Sequence, residues 1–149
     1  MKIRKAKKDE YKDYIKLRKQ SMNYLSKISG IKLTLSDKKI KEEFLVPLAN
    51  KKNLIYFLED DNNIVGYLNF LLINRNGKKT LYLNDIIISE DSRGKGYGKQ
   101  AMNWIIKFSK KKNRDRIGLG LRPENKPAFN LYKKMGFNIV GIDMGLDLK

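Results

Sequence analysis

The chain has neither cysteine nor histidine. The absence of cysteine excludes disulfides, thiolate metal ligands and a cysteine nucleophile. Because histidine is also absent, a zinc site, a Ser-His-Asp triad and a histidine general base are excluded as well. We therefore expect no metal site, and any proton transfer must use aspartate, glutamate, lysine, tyrosine or water.

Long apolar runs are also missing. No stretch approaches the roughly 18 apolar residues that a membrane-spanning helix needs, and the opening MKIRKAKKDEYKDY lacks the apolar segment of a secretory signal. We therefore expect a cytoplasmic protein without a membrane partner. A chain of 149 residues can build one good core, which predicts a single domain over residues 1–149.

Acidic residues are scarce beside basic ones, 16 against 33, and the formal net charge is +17. A basic surface can bind nucleic acid by displacing counterions from phosphates. However, the lysines are dispersed, and the densest cluster, KKKNR at 110–114, falls where a helix should end and where cations favour the helix dipole. Nucleic-acid binding is therefore a disfavoured alternative, and the charge also argues against a polycationic ligand.

Hydrophobic periodicity predicts an α+β fold with the order βαα, βββ, αβαβ. After a short first strand, helical patterns cover about 9–29 and 36–47, and three β-rich runs joined by tight turns then predict antiparallel pairing. A helix over about 98–112, the strand RIGLGLR and the short helix PENKPAFNLYKKMGF follow. NIVGIDMGLDL then predicts a final strand or hairpin.

A glycine-rich loop, Arg93-Gly94-Lys95-Gly96-Tyr97-Gly98, lies between the third run and the next helix. Glycines permit positive φ and close approach of a ligand, and consecutive amides at a helix N-terminus favour an anion. Arg93, Lys95 and Lys99 add positive charge, so a phosphate or pyrophosphate suits this loop. A plain polar turn is the alternative.

Two nucleotide-binding motifs fit the loop poorly. A Walker A motif fails because Arg93 stands at a required glycine and Gln100 at the required hydroxyl. The dinucleotide fingerprint G-x-G-x-x-A matches residues 96–101, but that motif belongs to βαβ units and expects an acidic residue after the next strand. Here antiparallel strands precede the loop, and the next strand ends at Arg122.

A second motif covers residues 125–137. Asn125 can cap a helix, Gly136 can take the left-handed position after it, and Ala128, Leu131 and Tyr132 share one face. Alone, this pattern indicates a core face that carries one tyrosine.

Together, R-x-x-G-x-G and N-x-x-A-x-x-L-Y-x-x-x-G-F resemble the GNAT superfamily of N-acetyltransferases over residues 81–137. The resemblance implies a mixed, mostly antiparallel sheet of six to seven strands with helices on both faces. This sheet would splay between a strand ending near Ile88 and one ending near Arg122, and acetyl-CoA would bind in the opening.

The resemblance also implies roles for individual residues. The pyrophosphate would lie on the loop amides, the pantetheine arm would bind backbone groups of Ile86–Ile88 near a local bulge, and the short helix would line the other side. The implied cofactor-binding residues are Ile86, Ile87, Ile88, Arg93, Gly94, Lys95, Gly96, Tyr97, Gly98, Lys99, Asn125, Ala128 and Tyr132.

The implied reaction is direct transfer of acetyl to a primary amine of a small molecule, peptide or protein. Tyr132 matches the family's general acid, and a backbone N–H near Ile88 would hold the oxyanion. The resemblance does not determine which residue is the catalytic base, because Asn84 stands where several members carry glutamate. Asp85 is the nearest carboxylate, on the opposite face from Asn84 unless a bulge intervenes, and a solvated charge or a buried hydrogen-bonded aspartate is the favoured alternative role for it. In one alternative, water shuttles the proton of the amine through Asn84 or through a more distant acid such as Glu59. In another, the amine loses its proton in bulk solvent before it binds.

The acceptor pocket is expected between the loop around Ser29–Leu35 and the last hairpin, Val140–Leu146. A homodimer is compatible with the sequence. Two other functions remain open: an acetyl-CoA sensor without transfer activity, and the basic nucleic-acid-binding module considered above.

Overall fold

Apart from the last predicted strand, helices and strands follow one another in the predicted order, in a computed structural model that describes residues 1–50 and 53–149. The strands are β1 (Lys2–Lys5), β2 (Leu54–Asp60), β3 (Asn63–Arg75), β4 (Lys78–Ile88) and β5 (Arg116–Leu119). The α-helices are α1 (Tyr11–Ser29), α2 (Asp37–Asn50), α3 (Tyr97–Lys111) and α4 (Lys126–Lys134). Short 3-10 turns cover Lys8–Glu10 and Glu90–Ser92. No helix within the described ranges is long and apolar enough to cross a bilayer.

One sheet with the order β1-β2-β3-β4-β5 forms the centre of the fold. The first four strands pair antiparallel, and β5 pairs parallel to β4 because α3 carries the chain back across the sheet. The predicted mostly antiparallel α+β sheet is therefore confirmed. The predicted six to seven strands are not, since the described residues form five.

The missing strand is the one predicted within NIVGIDMGLDL. Residues 138–149 have no regular secondary structure, and all are exposed. A β-strand becomes stable only when its backbone groups pair with a neighbouring strand. Nothing in the described part of the chain pairs with this segment, which explains why the predicted strand is absent.

Helices cover both faces of the sheet, as predicted. On one face, α3 packs Met102 and Ile105 against Leu81 and Leu83 of β4. The other face meets α1 and α2 in a separate cluster, whose largest members are Tyr14, Phe44, Phe57 and Tyr67. The sheet thus separates two cores, and a residue of β4 belongs to one or the other according to the face on which it lies.

Near its end, β4 contains a β-bulge that affects on which face of the sheet the following residues lie. Asn69 of β3 lies opposite Asp85, and the next residue, Phe70, lies opposite Leu83, so Asn84 is the inserted residue. Leu83 packs on the α3 face, but the insertion turns Asp85 towards α1 and α2. The bulge predicted at Ile86–Ile88 therefore lies earlier, at Asn84, because the register with β3 sets its position.

Candidate active site

A cleft opens where β4 and β5 part. The two strands pair only from Thr80 and Arg116 to Leu83 and Leu119. Beyond that point a cavity of about 690 Å³ lies between residues 84–88 of β4 and residues 120–122. Helices α1 and α4 supply the remaining walls. Its volume lies within the range of small-molecule sites.

The glycine-rich loop forms one end of the cleft. Gly94 and Gly96 have φ of 74° and 82°, which a residue with a Cβ adopts only with strain. The amides of residues 94–99 have no acceptor among the described residues, since the first turn of α3 leaves them unpaired. Lys95 and Lys99 are exposed beside them. Unpaired amides, a helix N-terminus and two cations together suit an anionic group such as a pyrophosphate.

The side chains of Arg93 and Tyr97 connect this loop to the rest of the fold. The Arg93 Nε donates to the Ile88 carbonyl oxygen at 3.3 Å, and its guanidinium lies 4.8 Å from the centre of the Tyr24 ring. The hydroxyl of Tyr97 donates to the carboxylate of Asp60 at the end of β2. The Tyr97 side chain therefore points away from the cleft, and only its backbone belongs to the anion site.

The start of α4 forms the opposite rim. Asn125 caps this helix, because its Oδ1 accepts a hydrogen bond from the Ala128 amide at 3.4 Å. The same oxygen accepts from the hydroxyl of Tyr24 on α1, also at 3.4 Å. Tyr24 thus joins α1 to α4 across the rim. Sequence reasoning did not find Tyr24, because it lies in a helix that carries no motif.

Tyr132 lies inside the cleft, 7% exposed. Burial raises the pKa of its hydroxyl to about 12, and no charge or hydrogen bond within the described residues contributes to that shift. Its ring packs against Phe137, with 5.7 Å between the ring centres. The hydroxyl is therefore neutral and fixed in position, and it is free to donate a hydrogen bond to a bound group.

Asp85 is the one carboxylate among the described residues that line the cleft. Burial raises its pKa above the ordinary aspartate value, Arg18 lowers it, and Glu43 raises it further. The side chain of Asn69, opposite Asp85 in the strand register, also lowers the pKa. A carboxylate in a largely buried, partly compensated environment is the kind of group that serves as a base near neutral pH.

A polar cluster lies behind Asp85 on the α1 side of the sheet. Tyr67 is fully buried, burial raises the pKa of its hydroxyl well above the usual range, and this hydroxyl has no hydrogen-bond partner among the described residues. The Tyr67 ring lies 4.6 Å from that of Tyr14. The Arg18 Nε binds the Glu43 carboxylate at 3.2 Å. Nothing in the sequence indicated this cluster, because its members come from α1, α2 and β3 and meet only through packing.

The two other base candidates differ in position. Asn84, the inserted residue, is exposed and lines the cleft. Glu59 does not line it. Its carboxylate on β2 binds Arg4 of β1. Arg4 also binds Glu10 of the first 3-10 turn, at 2.6 Å.

A second cavity of about 450 Å³ adjoins the first, and Leu25 and Arg122 line both. Its further lining residues are Arg18, Met22, Lys32, Leu33, Thr34 and Leu35. The loop around Ser29–Leu35 thus contributes to a pocket beside the cleft. Residues Val140–Leu146, expected to form the opposite wall, line neither cavity, because the segment that contains them lies in solvent.

Comparison with known proteins identifies the family. A model of the acetyltransferase (GNAT) family matches residues 20–137. The chain belongs to the GNAT family of acetyltransferases. This match includes the cleft, the glycine-rich loop and α4.

Among curated proteins, the chain resembles an uncharacterized N-acetyltransferase of Methanocaldococcus jannaschii, with 36% identity over 55 residues. The match covers 37% of this chain and 24% of that protein. The chain spans only about a quarter of the length of the first curated relatives that it matches.

Among solved structures, a tetramutant of the BH1408 protein from Bacillus halodurans has a TM-score of 0.87 at 24% identity, covering 99% of this chain and 100% of that one. A predicted acetyltransferase of Clostridium acetobutylicum, crystallised with acetyl-CoA, has a TM-score of 0.74 at 23% identity and covers 99% and 96% of the two chains. At these identities the structures establish a shared GNAT fold.

Proposed function

We propose that this GNAT protein is an acetyl-CoA-dependent N-acetyltransferase, in which residues 1–149 form a single domain that transfers acetyl directly to a primary amine. The observation that carries the proposal is the cleft, which has unpaired amides at residues 94–99 at one end and Tyr132 and Asp85 inside. The acetyl-CoA in the structure from Clostridium acetobutylicum supports the choice of cofactor.

The residues that would hold acetyl-CoA fit its chemistry. The amides of 94–99, with Lys95 and Lys99, would bind the pyrophosphate, and the backbone of Ile86–Ile88 would pair with the pantetheine arm as a further strand does. Asn125 and Ala128 would border the arm on the α4 side. When bound, acetyl-CoA supplies a thioester whose acyl carbon an amine can attack.

Tyr132 and Asp85 would perform the proton chemistry. A pKa of about 12 keeps the Tyr132 hydroxyl protonated, so it would stabilise the departing thiolate by donating a hydrogen bond. Asp85 would accept the proton of the amine, directly or through water held by Asn84, and its raised pKa makes it a better base than an ordinary aspartate. A backbone N–H near Ile88 would bind the developing oxyanion.

The second cavity would hold the acceptor, and its lining favours a particular chemical class. Three cationic side chains line it beside the apolar Met22 and Leu33. Arg18 is paired with Glu43 and Arg122 with Glu124, so Lys32 is the cation of this lining without a carboxylate partner among the described residues. We infer that the preferred acceptor carries an anionic group, such as a carboxylate, in addition to its amine. A polyamine would be repelled by the same cations and by the net charge of +17.

Thiol release from acetyl-CoA, measured with matched amine pairs, tests both parts of this proposal. Each pair should differ only in a carboxylate or its neutral amide, and the carboxylate member is expected to react at least about tenfold faster. Cofactor binding is measured separately by titration calorimetry. Failure to bind acetyl-CoA at millimolar concentration would contradict the proposed cofactor, and binding without turnover for any amine would favour the sensor alternative.

A pair of charge-reversal variants separates the pocket from the general surface. Lys32→Glu should reduce or invert the preference for the carboxylate member. Lys12→Glu makes the same change in net charge on an exposed position of α1 outside both cavities. If both variants alter the preference equally, the pocket does not select the acceptor.

A further inference from the structure

Asp60 ends β2 at a tight turn beside the glycine-rich loop. Only Asp61 and Asn62 join β2 to β3, and both have positive φ, 47° and 61°, as in a type I′ hairpin turn. The Asn63 side chain donates to the Asp61 carbonyl oxygen at 3.0 Å. Because Asp60 and Asn63 also lie opposite each other in the strand register, the Asp60 carboxylate stands on a well-ordered corner of the sheet.

Tyr97 connects this corner to the start of α3. It is the first residue of that helix, and its hydroxyl donates to the Asp60 carboxylate, 37 positions away in sequence. Its ring packs against the core under α3. The hydrogen bond therefore joins the helix N-terminus, where the unpaired amides lie, to the hairpin formed by β2 and β3.

The loop between Arg93 and Tyr97 has little packing of its own. A Cβ added to Gly94 or Gly96 would meet no other atom of the described residues within 4 Å. Gly96, the residue before α3, also lacks a side chain that could cap the helix. Packing at these glycines therefore does not fix the path of the loop, and its position depends on Arg93 at one end and Tyr97 at the other.

We propose that Asp60 is a positioning residue for cofactor binding: by accepting the hydrogen bond of Tyr97, it holds the amides of residues 94–99 in the arrangement that a pyrophosphate requires. This inference rests on the proposed function, because acetyl-CoA supplies the pyrophosphate. Asp60 is not among the residues that line the cleft, so it acts through Tyr97. Amides that are already arranged for the ligand bind it more tightly, because less order is lost on binding.

The charge of Asp60 allows this role to be separated from an electrostatic one. The hydrogen bond from Tyr97 is the strongest influence that lowers the pKa of the Asp60 carboxyl, and the charge of Lys95 also lowers it, so the group is ionised at neutral pH. A carboxylate repels nearby phosphates, and loss of its charge should by itself tighten acetyl-CoA binding. Loss of the position that it gives Tyr97 should weaken binding instead.

Calorimetry with acetyl-CoA and with acetyl-pantetheine, which lacks the phosphates, tests the proposal. Tyr97→Phe and Asp60→Ala should each weaken acetyl-CoA binding by about three- to tenfold, the usual effect of one lost hydrogen bond. Neither variant should change acetyl-pantetheine binding. The double variant should bind acetyl-CoA no more weakly than the weaker single variant, because both changes remove the same interaction.

Three further variants are controls. Asp60→Asn removes the charge but keeps an oxygen that accepts from Tyr97, and it should bind acetyl-CoA at least as well as the unchanged protein. Asp61→Asn removes a charge at the next position, and Tyr56→Phe removes a hydroxyl from β2 outside the cleft. Neither should weaken binding. The Met1 amino group lies 3.5 Å from the Asp60 carboxylate, and Tyr97→Phe leaves that pair in place.

The possible results distinguish a failure of the positioning role from a failure of the proposed function. If the unchanged protein does not bind acetyl-CoA, the proposed function is contradicted and the positioning role fails with it. If the unchanged protein binds and Tyr97→Phe binds equally well, only the positioning role is wrong. Tighter binding by Asp60→Ala would show a purely electrostatic effect, and an equal loss for acetyl-pantetheine would show a general loss of structure. Either result would overturn the proposal.

Discussion

At the scale of the residue, burial raises the pKa of both Tyr132 and Asp85, and this one effect suits the two different roles proposed for them. It favours the neutral form of both side chains, because a charge loses hydration in the cleft. For Tyr132 the neutral form is the hydrogen-bond donor, so burial secures that role. For Asp85 the charged form is the base, and burial increases its affinity for a proton. The same physical effect would thus favour the proposed donor role of Tyr132 and the proposed base role of Asp85.

The Tyr132→Phe variant tests the donor role. We expect kcat to fall by about a hundredfold, the range found for loss of a positioned proton donor, while affinity for acetyl-CoA changes little because the ring remains. Thiol release and calorimetry measure the two quantities. Tyr56→Phe, at a buried tyrosine that does not line the cleft, is the matched control. Unchanged turnover in Tyr132→Phe would remove this residue from the mechanism.

The Asp85→Asn variant should be more stable and less active. The folded state raises the pKa of Asp85, so it binds this proton more tightly than the unfolded state does. The resulting stabilisation is complete below the unfolded pKa and is lost as pH rises through the folded pKa. At neutral pH the buried charge is therefore a net cost, which asparagine removes.

Thermal unfolding at pH 7 should show a higher Tm for Asp85→Asn, and kcat should fall at least about tenfold. The difference in Tm should shrink as pH is lowered. Asp91→Asn, at an exposed position, controls for loss of one negative charge. A loss of stability at pH 7 would show that Asp85 is a structural partner rather than a strained base.

Sequence reasoning proposed Tyr132, Asn84 and Asp85 because a motif or its interruption marks each position, and all three line the cleft. It did not identify Tyr24, Tyr67 or the Arg18 and Glu43 pair. These residues come from α1, α2 and β3, where helical or alternating patterns report only which face is apolar. Their meeting depends on how α1 and α2 dock on the sheet, and a local pattern does not contain that information.

At the scale of the element, the sequence predicts the conformation of the loop glycines better than it predicts the register between strands. The loop glycines are predictable, because Gly94 and Gly96 have positive φ for reasons local to a strand-to-helix turn. The bulge was expected, but its position was wrong. The position of a bulge depends on which residues of β3 pair with β4, and the two pairs that flank this bulge join residues 13 and 16 positions apart in sequence.

The Gly96→Ala variant tests the loop. A residue with a Cβ at φ of 82° should lower the free energy of unfolding by about 1–2 kcal/mol. It should also weaken acetyl-CoA binding, because relief of the strain would move the amides that we propose bind the pyrophosphate. Gly77→Ala introduces a similar strain, at φ of 73°, in the turn between β3 and β4.

Denaturant titration and calorimetry on the two variants separate strain from binding. Both should lose comparable stability, and only Gly96→Ala should bind acetyl-CoA more weakly, by about tenfold or more. If Gly96→Ala binds the cofactor as the unchanged protein does, the loop amides do not hold it.

Net charge is the dominant property of the whole molecule. The chain has a formal net charge of +17, and the cofactor proposed for the cleft carries several phosphates. Electrostatic attraction should therefore steer the cofactor towards the protein. We expect the association rate of acetyl-CoA to fall on the order of tenfold as salt rises from low to high ionic strength. Stopped-flow binding measures this rate. Acetyl-pantetheine, which lacks the phosphates, should show almost no salt dependence, and an equal dependence would show that the cleft is not the source of steering.

At the scale of the whole molecule, the number of strands could not be predicted from the sequence. Alternating apolar and polar residues show that a segment can form a strand, but they do not show which strand it pairs with. Val140 to Leu148 have the pattern of a strand, and the sequence analysis assigned them to this chain's own sheet. The structure leaves them in solvent. The order of the remaining elements was predictable, since each contains its own periodicity and turn residues.

The bulge at Asn84 has a consequence for how this protein can diversify. Pairing with β3 fixes which faces the next four residues occupy, so that Asp85 and Ile87 lie towards α1 and α2, and Ile86 and Ile88 lie towards α3. Deletion of Asn84 would leave Leu83 opposite Phe70 and Asp85 opposite Asn69, so a chain shorter by this one residue should keep both faces and lose only the local bend of the strand.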